Sequence, residues 1–177
     1  MAVATIQPPA VVYREEQNFD WRVYALVLLA QVAVTLGLYW LYQHGYDPGL
    51  EHGLSGLAVS LLALVGLASP ALLVVGLLRM TTEVTPTTIR IWFGWVPTYR
   101  RFVVIASVQK IEVVSYRPLA DYGGWGIRSG RDGERVLNAR GNRGVRLDLG
   151  DGTRLLIGSQ KPELLAVAIE RALRPGV

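Results

Sequence analysis

Two long apolar runs constrain this chain more than any other feature. Val23 to Tyr42 and Leu54 to Leu78 carry no charged residue. Each supplies the roughly 20 residues that a helix needs to cross about 30 Å of hydrocarbon. Gln31 and Thr35 are the only clearly polar side chains of the first run. Trp21 and Tyr24 sit at one end of it, and Tyr39, Trp40, Tyr42 and Tyr46 at the other, where aromatic belts flank membrane spans. The segment joining the runs has Asp47 and Glu51 but no lysine or arginine. Arg14 and Arg22 precede the first run, and Arg79, Arg90, Arg100 and Arg101 follow the second. The positive-inside bias then places both termini in the cytoplasm and the chain in the inner (plasma) membrane as a multi-pass protein. The first run is too long for a signal peptide, and no basic region precedes it.

The expected organisation is therefore an N-terminal tail over 1–21, a helical hairpin over 22–79 and a cytoplasmic domain over 80–177. The apolar excess (51% hydrophobic against 18% charged) lies almost wholly in the hairpin. The net charge of +4 is carried nearly all by arginine, Lys110 and Lys161 being the only lysines. Such a charge beside a membrane points to anionic lipid headgroups. With no cysteine in the chain, disulfides, thiolate metal ligands and cysteine nucleophiles are excluded.

From Thr81 onward the pattern changes to period two. Ile89, Ile91 and Phe93 alternate with Arg90 and Trp92, as in a half-buried strand. Further β-branched and aromatic runs follow over 99–104, 108–116, 133–139, 144–149 and 154–158. A three-residue loop, Gly150-Asp151-Gly152, with Gly152 left-handed, sets one hairpin register. It places Leu147 opposite Leu155 and Val145 opposite Ile157, with Asp148 opposite Arg154 on the wet face. Pro162 suits the first turn of a closing helix, with Leu164, Leu165, Ala168, Ile169, Ala172 and Leu173 as its apolar stripe. Roughly seven antiparallel strands and one C-terminal helix match a pleckstrin-homology-like barrel or sandwich.

Several segments carry a resemblance. Tyr116-Arg117-Pro118-Leu119, Asp121-Tyr122-Gly123-Gly124-Trp125-Gly126-Ile127-Arg128, Gly141-Asn142-Arg143-Gly144 and Leu155-Leu156-Ile157-Gly158-Ser159-Gln160, with Tyr13-Arg14-Glu15 upstream, resemble a family of bacterial two-helix membrane proteins with pleckstrin-homology-like domains. The resemblance covers nearly the whole chain. It implies the architecture of a helical hairpin plus a β domain, and it implies no activity.

Catalytic chemistry is thinly supplied. His44 and His52, the only histidines, lie with Asp47 and Glu51 at spacings that match no regular metal-ligand pair. The carboxylates of the β domain fall in turns or beside arginines, so neither an enzyme nor a cofactor or metal site is expected. The run Tyr122 to Gly126 lacks the Gly-Lys-Ser/Thr ending of a phosphate loop. Rings among glycines fit a loop whose aromatics cover bare backbone, or an interface for which Tyr122, Trp125 and Arg128 are the candidate anchors. Arg117, Arg131, Arg135, Arg140 and Arg143 are candidate contacts for lipid headgroups, since guanidinium grips phosphate in a bidentate manner. Acidic residues are interleaved with them and arginine is this chain's default cation, so a solvated, ion-paired face is the favoured reading. No nucleic-acid module is present. The expected function is a membrane-anchored interaction or scaffold protein, an accessory subunit binding itself or another membrane protein. An anionic-lipid sensor is the alternative, and an enzyme or transporter component comes third.

Overall fold

The structure is a computed structural model that describes residues 10–43, 66, 69, 70, 72, 74, 78–130 and 132–174. It is mainly β. In chain order the elements are β1 (Tyr13–Asn18), α1 (Trp21–Gln43), β2 (Arg79–Val84), β3 (Thr88–Phe93), β4 (Tyr99–Val104), a 3₁₀ turn (Ile105–Ser107) and β5 (Val108–Ser115). There follow α2 (Pro118–Tyr122), β6 (Gly126–Ser129), β7 (Arg135–Asn138), β8 (Arg143–Leu149), β9 (Arg154–Gly158) and α3 (Pro162–Leu173). Four strands make one sheet in the order β1-β2-β3-β4, and five make a second in the order β5-β8-β9-β7-β6. Alternation buries Ile89, Ile91 and Phe93 from the first sheet against Val145, Leu147, Leu155 and Ile157 from the second, and Leu165 and Ile169 of α3 complete this core.

The hairpin argued from the glycine loop is present. Val145 pairs with Ile157, Leu147 with Leu155 and Asp148 with Arg154. Gly152 takes φ +80°, which an L side chain seldom adopts. The α3 stripe differs at one place: Leu164 is exposed and Ala166 is buried instead.

Two strands lie outside the sequence reading. β1 comes from the segment read as a tail and pairs antiparallel with β2, Tyr13 opposite Val84 through Asn18 opposite Arg79. Residues 19–78 are therefore an excursion inserted between the two strands of one antiparallel pair. Its root is tied down: the Phe19 amide donates to the Leu78 carbonyl (3.3 Å) and the Asp20 amide to the Ala139 carbonyl (3.1 Å). β6 is the other addition, pairing with β7 at the edge of the second sheet. β7 in turn runs parallel to β9, so the second sheet is mixed and not purely antiparallel.

The expected membrane hairpin is corrected. Among the described residues no helix is long and apolar enough to cross a membrane. The apolar stretch of α1 is interrupted by Gln31, whose amide donates to the Gly66 carbonyl (2.6 Å), and by Thr35, whose hydroxyl donates to the Gln31 carbonyl (2.9 Å). Most of the second run, with the linker and both histidines, lies outside the described residues. The multi-pass inner-membrane placement, and the orientation argued from it, lose their basis with the hairpin. Along α1, Val23 and Tyr24 pack on the core, while Leu26, Leu29, Val32 and Leu36 are exposed.

Candidate functional site

The glycine-rich segment forms a cap over the outer face of the second sheet. Arg117 leads into α2, whose C-terminal end is closed by Gly123 at φ +72°. Beneath the cap Val136 and Leu156 are fully buried with Tyr116, and Tyr122 packs against them. The Tyr122 and Tyr116 rings meet edge to face at 5.8 Å. This face of the sheet would otherwise be wet, so the cap gives the sheet a second, smaller core.

A polar network seals its rim. The Tyr122 hydroxyl donates to Glu134 Oε2 (2.7 Å), and Arg146 Nε donates to Glu134 Oε1 (2.6 Å). Glu134 is buried, so removing either donor would strand part of a desolvated carboxylate. Burial first, and the Glu134 carboxylate second, push the Tyr122 phenol up to about 12. The same carboxylate holds the Arg146 guanidinium further toward its charged form.

Trp125 and Arg128 serve this cap. Trp125 is half-buried against the main core and donates from Nε1 to the Gly141 carbonyl (3.3 Å). Arg128 folds back so that Nε donates to the Trp125 carbonyl (3.1 Å). The three residues proposed as interface anchors share this segment, and each spends a hydrogen bond within the body: Tyr122 on Glu134, Trp125 on Gly141 and Arg128 on the Trp125 carbonyl.

Of the candidate lipid arginines, Arg117, Arg140 and Arg143 fall toward one end of the second sheet, where Ser115 faces Arg143 and the Tyr116 amide donates to the Asn142 carbonyl, while Arg135 falls at the other end. Arg117 pairs with Asp121 at 3.2 Å, and Arg143 with Glu163. Arg135 begins β7 opposite Leu155, while Arg143 begins β8, whose next residue faces Gly158 at the other end of β9. Arg140 lines a separate cleft beside β1. Arg131 lies outside the described residues.

A site that the sequence did not single out lies along β5 and α3. Among the described residues β5 is an edge strand, paired on one side only, with β8. Its register slips between Val108 and Lys110, a bulge at Gln109, after which Ile111 faces Leu147. α3 packs on β5, and between them runs a groove of about 500 Å³. Ile111, Val167 and Leu173 give it apolar surface, and Gln109, Glu170 and Arg174 line it with polar groups. Val167 is 42% exposed although it sits on a helix whose neighbours Ala166 and Ala168 are buried. Its sequence signal was available: Leu164 and Val167 are three apart and form a second apolar line beside the core stripe.

Among the described residues no group of three or more histidines, cysteines, aspartates or glutamates could hold a metal ion. The linker set of His44, Asp47, Glu51 and His52 lies outside those residues. No protein-family model matches the chain, and no curated protein matches it.

Proposed function

We propose that this chain is a protein-interaction module built on a pleckstrin-homology-like body, and that it receives an extended segment of a partner protein along β5. Two sheets closed by a C-terminal helix support the pleckstrin-homology-like reading. The observation that carries the interaction reading is the combination at β5. An unpaired strand edge offers backbone donors and acceptors, and the adjoining groove offers apolar surface for alternate side chains. That pairing is what strand addition requires: main-chain hydrogen bonds supply affinity and side-chain pockets supply selectivity. An exposed edge left without a partner is otherwise a liability that folds tend to blunt. Charged Lys110 and Glu112 on β5 limit indiscriminate pairing while leaving Ile111 and Val113 available.

The test uses the full chain and peptides selected on it from a random display library. Binders should share an alternating apolar pattern, and Val167→Asp should weaken them about tenfold, the effect of losing one buried apolar anchor. Binding indifferent to Val167→Asp would reject the groove as the docking site.

A further inference from the structure

The end of the body from which α1 departs carries an unusual surface. Trp95 and Val96, in the turn joining β3 to β4, are 68% and 75% exposed, and Trp21, at the start of α1, is 70% exposed. Register places all three at one end of the first sheet: Asn18 lies opposite Arg79, and Met80 opposite Phe93. Leu119 of α2, 60% exposed, shares a shallow cleft with Arg22 at the root of the helix. Cations stand among these apolar groups. The Arg79 guanidinium lies 4.9 Å from the Trp95 ring centroid, and Arg22 is exposed. The acids nearby are partnered, although Asp20 keeps its charge because its partner is a neutral amide. Asp20 accepts from the Arg22 backbone amide (3.1 Å), Asp121 pairs with Arg117, and Glu16 pairs with Arg79 and Arg14.

We infer that this end docks on an anionic lipid surface, with Trp95 and Val96 entering the headgroup layer and Arg22 facing lipid phosphates, while Arg79, paired with Glu16, steadies the Trp95 ring. Indole is the side chain best suited to the interface, because its body is apolar and its N–H finds polar partners. Arginine beside it adds attraction to anionic headgroups that salt screens. Such docking needs no crossing helix. It also does not depend on the β5 groove, which opens on α3 and shares no residue with this patch. The opposite end of the first sheet provides an internal contrast: Ala106, in the turn after β4, is exposed with no tryptophan beside it in the chain.

The absence of cysteine permits a direct test on the full chain. Val96→Cys and Ala106→Cys are each labelled with an environment-sensitive fluorophore and mixed with vesicles of phosphatidylcholine containing phosphatidylglycerol. The label at 96 should brighten and shift to the blue, and the label at 106 should not. Arg22→Glu should weaken the response at least about fivefold, and high salt should diminish it. An unchanged spectrum at 96, an equal shift at 106, or an equal response to pure phosphatidylcholine overturns the inference. A shift at 96 that grows with protein concentration in the absence of vesicles also overturns it, in favour of a protein contact.

Discussion

Glu15 offers the sharpest perturbation of the fold, because, beyond the ladder of β1 with β2, it ties β1 to the loop that starts α3. Glu15 is 9% exposed, and its carboxylate accepts three hydrogen bonds: from the Tyr13 hydroxyl (2.8 Å), the Ser159 hydroxyl (2.6 Å) and the Gln160 amide (2.8 Å). Two of these reach across from β1 to the loop that starts α3. Burial, and then the Glu15 carboxylate, raise the Tyr13 phenol well above its ordinary value. Glu15→Ala would leave three donors facing a void. The Ser159 hydroxyl can rotate and the Tyr13 hydroxyl can reach water, so the unrelieved loss centres on the Gln160 amide and the emptied volume. At about 1–3 kcal/mol for each stranded buried group, a cost of about 3 kcal/mol is expected. Glu15→Gln keeps one oxygen acceptor and should cost about 1 kcal/mol. Urea denaturation of the full chain, followed by near-ultraviolet circular dichroism, measures both. Amide exchange in β1 should accelerate with Glu15→Ala before exchange in β8 does. A Glu15→Ala cost under about 0.5 kcal/mol, or uniform acceleration of all strands, would refute the assignment of Glu15 as the tie between β1 and α3.

Three further outcomes follow from the same packing. Leu147→Asp, which puts a charge into a fully buried site, should abolish folding, whereas Arg154→Ala should cost at most about 1 kcal/mol because Arg154 is exposed; thermal melts rank the two. Tyr122 has its folded pKa raised above the unfolded value, so its contribution is fully present below about pH 10 and is lost as pH rises through about 12; Tyr122→Phe should flatten that part of the stability profile. Trp125→Ala should cost about 2 kcal/mol in the isolated chain, roughly half the loss for a fully buried ring, since Trp125 is half-buried and gives up the bond to Gly141; a cost near zero would mean that the cap does not rely on it.

The parts of the fold that were legible in the sequence are those set by local periodicity and turn chemistry. β3 alternates plainly, apolar runs marked β4, β5 and β7 to β9, and the Gly150-Asp151-Gly152 loop set a register that the pairing of Val145 with Ile157 bears out. β1 was hidden because its inward positions are Glu15 and Gln17, polar residues buried through hydrogen bonds to the β9–α3 region, so no apolar alternation marked it. β6 escaped notice because Gly126-Ile127-Arg128-Ser129 has only one β-branched apolar residue and is held by its pairing with β7. The apolar composition of the first long run correctly marked a helix. Its membrane-crossing role did not survive among the described residues.

The candidate site was legible only in outline. Tyr122, Trp125 and Arg128 share one segment, and the contacts of Tyr122 and Trp125 turn inward, because Glu134 and Gly141 reach them from parts of the chain more distant in sequence. The arginines looked like one patch because they crowd a short stretch of chain. Strand direction sets Arg135 apart: it and Arg143 fall toward opposite ends of β9. The β5 groove depends on a helix and a strand about 50 residues apart, a juxtaposition that only the three-dimensional fold brings about.

Strand addition at β5 is tested most directly by hydrogen exchange across the chain, with and without a saturating selected peptide. The account predicts that amides within Gln109 to Val114 gain protection on binding, while those of β6 and β4, the edges away from the groove, keep their free-state rates. Protection confined to β4 or β6, or to the α2 cap, with β5 unchanged, would contradict it.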